Sequence, residues 1–87
     1  MIIKIPNPFN FQARKTFLPQ IKANPAGEEL ILDFEGVTTL DSAALGMLLM
    51  AREQTKDTSS RVSLINCNDS VKQILEVAQF HMLFKIS

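Results

Sequence analysis

Short apolar or β-branched segments alternate with segments of helical periodicity along nearly the whole chain, and this alternation constrains the fold most. The strand candidates are residues 2–5, 28–34, 61–67 and 83–86, and helix candidates lie between them. Successive strands separated by helices favour parallel pairing, because a parallel connection needs a long crossover. The sequence predicts an α/β fold with a small, mostly parallel sheet of four strands and about three crossover helices.

The first helix is predicted after Asn10, a plausible N-cap, and its apolar residues recur at helical spacing: Ala13, Phe17, Leu18 and Ile21. Pro19 is expected to end or kink this helix, because proline removes a backbone donor and clashes with the preceding turn. Residues 24–27 are predicted to form a turn. Residues 28–34 are predicted to form a strand that is buried on both faces, since their apolar residues run together.

The last helix is predicted from an amphipathic stripe, which consists of Val71, Ile74, Leu75 and Ala78. Its start carries Asp69 and a pattern of Ser70 and Gln73 that matches a capping box. A polar loop at 56–60 precedes the third strand, and residues 83–86 are predicted to supply an edge strand.

Composition narrows the class of protein. With 87 residues, the chain is long enough for one compact domain and too short for two. Its nine basic and nine acidic residues cancel, and no basic cluster exceeds the pair Arg14 and Lys15. Direct binding to nucleic acid is therefore not expected, because neutralising phosphates requires a concentrated basic surface.

The lone cysteine and the apolar runs bear on the compartment. Cys67 excludes an internal disulfide and fits a reducing environment. The longest apolar run, residues 43–51, is well below the roughly 18 residues that span a bilayer, and the N-terminus does not resemble a signal peptide. We expect a cytoplasmic protein without membrane insertion.

The second helix, predicted from Ser42 to about Lys56, is apolar around more of its circumference than one-sided packing needs. At 100° per residue, the positions facing the core are Ala44, Met47, Leu48 and Ala51. The opposite, outer face carries Ser42, Gly46, Leu49, Met50 and Glu53. Either a neighbouring element covers this outer face, or it is an exposed patch that binds another protein.

A glycine inside this helix needs a reason. Gly46 costs roughly 1 kcal/mol relative to alanine, and close approach by a partner is one explanation. Ser42 and Asp41 at the helix start are, by position alone, residue types that commonly serve as N-caps.

Residues 30–54, LILDFEGVTTLDSAALGMLLMAREQ, resemble the core of a STAS domain, the family that includes bacterial anti-sigma-factor antagonists. In that family a buried strand ends in an aspartate, here Asp33, and leads to an Asp-Ser pair, here Asp41 and Ser42, that opens a helix containing a glycine. The similarity continues upstream and downstream in the family's order, which implies a single STAS domain over residues 1–87.

The chain departs from the family's pattern in two places. Ala43 and Ala44 stand where a second small hydroxyl residue and a glycine often follow the pair. Only one short strand precedes the first helix, so the N-terminal hairpin that is typical of the family is expected to be reduced.

The resemblance implies partner switching. The unphosphorylated antagonist binds an anti-sigma factor that is also a serine kinase, phosphorylation of the helix-start serine breaks the complex, and a phosphatase restores it. Ser42 would then be the phosphoacceptor. The partner-binding residues would be Asp41, Leu45, Gly46, Leu49, Met50 and Glu53. Thr38 and Thr39 are reserve acceptors, unless they are only turn hydroxyls.

Other functional classes find little support. The surroundings of Ser42 lack the glycines of a nucleophile elbow, and one cysteine and one histidine give no zinc-ligand set. The single His81 is interpreted as a partly buried polar residue or a surface residue rather than a base. We therefore expect neither catalysis nor a metal or other cofactor. The open alternative is a STAS accessory subunit of an ABC-type membrane transporter, in which the outer helix face is a permanent docking surface. The oligomeric state stays open.

Overall fold

Strands and helices alternate as predicted. The structure is a computed structural model that describes residues 1–25, 28–55 and 62–87. The strands in these ranges are β1 (Ile2–Lys4), β2 (Ile31–Asp33), β3 (Ser63–Ile65) and β4 (Lys85–Ile86), and the α-helices are α1 (Arg14–Lys22), α2 (Ser42–Gln54) and α3 (Asp69–Val77). Short 3-10 helices, Phe11–Ala13 and Phe80–Met82, precede α1 and β4. The loop predicted at 56–60 and half of the turn predicted at 24–27 lie outside the described residues.

The strands form one parallel sheet in the order β1-β2-β3-β4, which confirms the predicted α/β class. Because the spatial order follows the chain order, right-handed crossovers place successive helices on one face of the sheet. The burial agrees with this arrangement: Ile3 on β1 is 2% exposed, whereas its neighbour Ile2 is 66% exposed. Among the described strands, β4 pairs only with β3 and is an edge strand, as predicted.

The prediction that residues 28–34 are buried on both faces was wrong. Leu30, Leu32 and Phe34 are buried, but Ile31 and Asp33 between them are only half-buried. Helices cover one side of β2, so its side chains alternate between the core and a more open face.

Three phenylalanines join the first helix, the sheet and the loop that follows β1. Phe9, Phe17 and Phe34 are each no more than 1% exposed. The ring of Phe9 lies edge-on to Phe17 at 5.2 Å and to Phe34 at 5.9 Å between centroids. Edge-to-face pairs of this kind stabilise a core beyond the burial of their area.

The first helix starts where the sequence predicts, and of the two outcomes expected at Pro19, an end or a kink, the structure contradicts the end. The side chain of Asn10 accepts a hydrogen bond from Gln12 N–H at 3.0 Å and caps the 3-10 helix that leads into α1. Pro19 lies inside α1, which continues to Lys22, so the helix does not end at the proline. Phe17 and Ile21, on either side of Pro19, are both buried. We infer that this packing holds the helix together across the missing backbone donor.

The last helix begins two residues earlier than a capping box at Ser70 would require. Its N-cap is Asn68, whose Oδ1 accepts from Val71 N–H at 2.8 Å, so the predicted capping box was wrong. The Nδ2 of Asn68 also donates to the Val37 carbonyl at 2.9 Å. This long-range contact fixes the cap and cannot be seen from local spacing. The buried stripe is narrower than predicted, because Ile74 is 37% exposed.

Two glycines provide a test of the backbone geometry. Gly36 has φ +82° in the turn closed by Val37 N–H donating to the Phe34 carbonyl, whereas Gly46 lies within α2, and an added Cβ would meet nothing within 4 Å at either position. We expect Gly36→Ala to lower the free energy of unfolding by about 1 kcal/mol, because of its left-handed conformation. Gly46→Ala should raise it by up to about 1 kcal/mol. Urea denaturation measures the free energy of unfolding of both variants. Changes of the same sign would contradict the left-handed conformation of Gly36 or the helical conformation of Gly46.

Candidate functional site

The loop between β2 and α2 delivers Ser42 to the surface along a fixed path. After the turn at Gly36, Val37 is fully buried, and its carbonyl accepts from Asn68. Leu40 then forms a parallel bridge with Phe9. These contacts anchor the loop on two sides, so the first turn of α2 starts from a defined position.

Asp41, and not Ser42, caps α2. The Asp41 side chain accepts a hydrogen bond from Ala44 N–H at 2.8 Å, and its backbone is extended, as an N-cap requires. Ser42 is the first residue of the helix and is exposed. The alternative that Ser42 serves as the cap is therefore not what the structure shows. The Ser42 hydroxyl is accessible from solvent.

The helix faces lie where the 100° rotation predicts. The four core-facing residues of α2 are buried, and all five residues of its outer face are exposed: Ser42, Gly46, Leu49, Met50 and Glu53. Leu49 is 43% and Met50 is 53% exposed. Within the part of the chain that the structure describes, no neighbouring element covers this face. Leu45 is half-buried at its border.

A second apolar feature, which the sequence pattern did not predict, adjoins this border. A groove between α2 and α3 is lined by Leu45, Ser70, Gln73, Ile74, Val77 and Ala78. Val77 is 80% exposed. The spacing of Ile74 and Val77, three residues apart on one side of α3, is a signal that could have indicated this groove, had Ile74 not been assigned to the core stripe.

The strand aspartate of the motif supports the turn rather than the outer face of α2. Asp33 Oδ1 accepts from the Asn66 side chain at 3.0 Å and from Glu35 N–H at 2.9 Å. The bond from Asn66, then that from Glu35, and the nearby charge of Lys4 lower the pKa of Asp33 below its ordinary value. Asn66 makes this contact from a left-handed backbone conformation with φ 57°.

The other side chains that could take part in catalysis or metal binding, Cys67 and His81, are distant from Ser42 in the sequence. Burial raises the pKa of the Cys67 thiol to about 11, which makes it a poor nucleophile at neutral pH. His81 is exposed. Among residues 1–25, 28–55 and 62–87, no group of three or more His, Cys, Asp or Glu side chains is arranged to hold a metal ion.

The chain matches the STAS domain family over residues 1–87, and its small α/β fold with a parallel four-stranded sheet and three α-helices in the described ranges is consistent with that family. The chain belongs to this family. It is 36% identical over 90 residues to the STAS-domain containing protein PA14_20770 of Pseudomonas aeruginosa (strain UCBPP-PA14), an alignment that covers all of this chain and 87% of the relative.

STAS domains occur in anti-sigma-factor antagonists and in transporters, they commonly bind protein partners, and they are in general regulatory rather than catalytic. In the described ranges, no helix has the length and apolar character needed to cross a membrane.

The cap assignment can be tested with a matched pair of alanine variants. Asp41→Ala removes the acceptor for Ala44 N–H, so we expect it to lower the free energy of unfolding by about 1 kcal/mol. Ser42→Ala should change it by less than about 0.5 kcal/mol, because the exposed hydroxyl does not cap the helix. Urea denaturation of both variants measures the difference. A larger loss for Ser42→Ala than for Asp41→Ala would show that the serine is the structural residue.

Proposed function

We propose that this chain, as a single STAS domain over residues 1–87, is a cytoplasmic anti-sigma-factor antagonist controlled by phosphorylation of Ser42. Its unphosphorylated form binds an anti-sigma factor that is also a serine kinase, phosphorylation releases that partner, and a phosphatase resets the cycle. The observation that carries the proposal is the division of roles at the start of α2. Asp41 supplies the cap, which leaves Ser42 exposed at the end of an uncovered apolar face.

The outer face of α2 supports the docking part of the proposal. Leu49 and Met50 present apolar surface that nothing in the described chain covers, and Gly46 between them and Ser42 has open space where a side chain would project. A partner backbone can approach closely at a glycine. Leu45 and Glu53 border this surface, and Asp41 holds its N-terminal end in place.

The proposed reaction transfers one phosphoryl group. The Ser42 oxygen forms a bond to the γ-phosphorus of ATP held by the kinase, and the bond from that phosphorus to the bridging oxygen of ADP breaks. The hydroxyl proton passes to a base of the kinase, and ADP leaves. The phosphatase uses water to cleave the serine phosphate and returns the hydroxyl and inorganic phosphate.

A phosphate on Ser42 would act on binding more than on folding. It adds about −1.5 to −2 charges at neutral pH. At the N-terminus of α2 this charge meets the positive end of the helix dipole, and at an exposed position it stays hydrated. A partner that covers Leu49 and Met50 would have to remove that hydration, beside the carboxylate of Asp41, and this cost opposes binding.

The switch is tested by a pull-down from a lysate of the source organism. Three immobilised forms of the protein serve as baits: wild type, Ser42→Ala and Ser42→Asp. We expect wild type and Ser42→Ala to retain an ATP-binding kinase that phosphorylates wild type at Ser42, and Ser42→Asp to lose it. The alanine variant separates the loss of the hydroxyl from the added charge. Circular dichroism should show that all three baits are folded. Retention of transporter components by all three would instead identify a permanently docked subunit.

The docking face is tested by placing one charge on either side of the molecule. Met50→Lys puts a cation on the outer face of α2, and Ile2→Lys puts one on β1, where Ile2 is 66% exposed on the sheet face away from the buried row. We expect Met50→Lys to weaken binding of the retained kinase at least about tenfold, since a buried unpaired charge is costly, and Ile2→Lys to leave it unchanged. Calorimetry measures both affinities. Equal effects would place the interface elsewhere.

A further inference from the structure

The segment that follows β1, residues 7–9, packs along the loop that precedes Ser42. Phe9 N–H donates to the Thr39 carbonyl at 3.1 Å, and Asp41 N–H donates to the Phe9 carbonyl at 3.3 Å. The ring of Phe9 is buried and anchors this segment in the core. The position of the helix start therefore depends on a segment that lies more than thirty residues earlier in the chain.

Asn7 extends this contact with its side chain. Its Oδ1 accepts from Thr38 N–H at 3.0 Å and from Thr38 Oγ1 at 3.2 Å. Thr38 is four residues before Ser42, and both Asn7 and Thr38 are exposed. This pairing gives the Thr38 hydroxyl a structural role in the loop.

Asn7 differs from the other asparagine that holds this loop. Asn68 bonds the Val37 carbonyl, but it also caps α3, so its loss would damage a helix. Among the described residues, the side chain of Asn7 bonds only Thr38. Removing it therefore releases one exposed anchor of the loop and leaves the core and both helix caps intact.

We propose that Asn7 is a positioning residue for the phosphorylation of Ser42. The inference rests on the proposed function: the Ser42 oxygen takes the γ-phosphoryl group of ATP on the kinase, ADP leaves, and the serine proton passes to a base of the kinase. Asn7 takes no part in this chemistry. Its side chain holds Thr38, and therefore the loop residues 38–41, in the conformation that the kinase binds.

The physical reason is preorganisation. A kinase that binds a loop already held in one conformation does not have to order it, whereas a loop with more freedom loses that freedom on binding. The two bonds to Asn7 restrict Thr38 before the kinase arrives. Their loss should appear mainly as a raised KM for the protein substrate, since the reacting groups themselves are unchanged.

The test compares three variants with the kinase that wild type retains in the lysate experiment, using ATP and measuring phosphate at Ser42. Asn7→Ala removes the acceptor, and Asn7→Asp keeps acceptor oxygens in nearly the same shape. Gln20→Ala is the control, because it alters an exposed side chain on α1 that makes no hydrogen bond among the described residues and lies outside the loop and the outer face of α2. We expect Asn7→Ala to lower kcat/KM about fivefold, with Asn7→Asp and Gln20→Ala within about twofold of wild type.

Hydrogen exchange provides a readout that needs no kinase. Asn7→Ala should speed exchange of the Thr38 amide, and Asn7→Asp should restore its protection. Two results would overturn the positioning role. One is an unchanged exchange rate of the Thr38 amide in Asn7→Ala. The other is a kcat/KM of Asn7→Ala equal to that of wild type, when the kinase does phosphorylate wild type at Ser42. A proportional loss of kcat in Asn7→Ala with a lowered midpoint of thermal unfolding would show a merely structural effect and overturn it as well. Absence of phosphate on wild-type Ser42 overturns the proposed function itself.

Discussion

Phe9 is the residue on which the arrangement of the site depends. Its ring lies in the core, against Phe17 of α1 and Phe34 directly after β2, while its backbone pairs with the loop at Thr39 and Asp41. One residue thus couples hydrophobic burial to the hydrogen bonds that place the start of α2. Interiors are close-packed, so the part of the loop that pairs with Phe9, at Thr39 and Asp41, cannot shift without moving a ring that has no room to move.

The topology explains why these contacts meet near Ser42. All strands of the sheet are parallel, so their carboxyl ends lie along one edge, and the connections into the helices lie there too. Asn7 follows β1, Thr38 follows β2, and Asn68 follows β3. Residues far apart in sequence therefore meet at this edge and hold the loop from both sides.

Local signals predicted the order of elements and the faces of α2, because each strand or helix carries its own periodicity. The predictions that failed depended on tertiary context. α1 does not end at Pro19 because buried residues flank it, and the cap of α3 is Asn68 because that side chain also bonds Val37. The exposed side of β2 follows from the placement of helices on one sheet face. At the start of α2, the sequence alone could not decide whether Asp41 or Ser42 is the N-cap, since aspartate and serine are both common N-cap residues.

The division of roles between Asp41 and Ser42 bears on how a switch at this position can work. Asp41 satisfies Ala44 N–H whether or not Ser42 is modified, so the helix start does not need the serine hydroxyl for its stability. A phosphate at Ser42 would share the end of the helix with the Asp41 carboxylate, and at an exposed position solvent screens their repulsion. When a partner covers the outer face, that screening is lost and both charges must be desolvated together. Under the proposed function, the free energy of the switch therefore arises in the complex rather than in the isolated domain. The same exposed hydroxyl can then be modified without unfolding the protein that carries it.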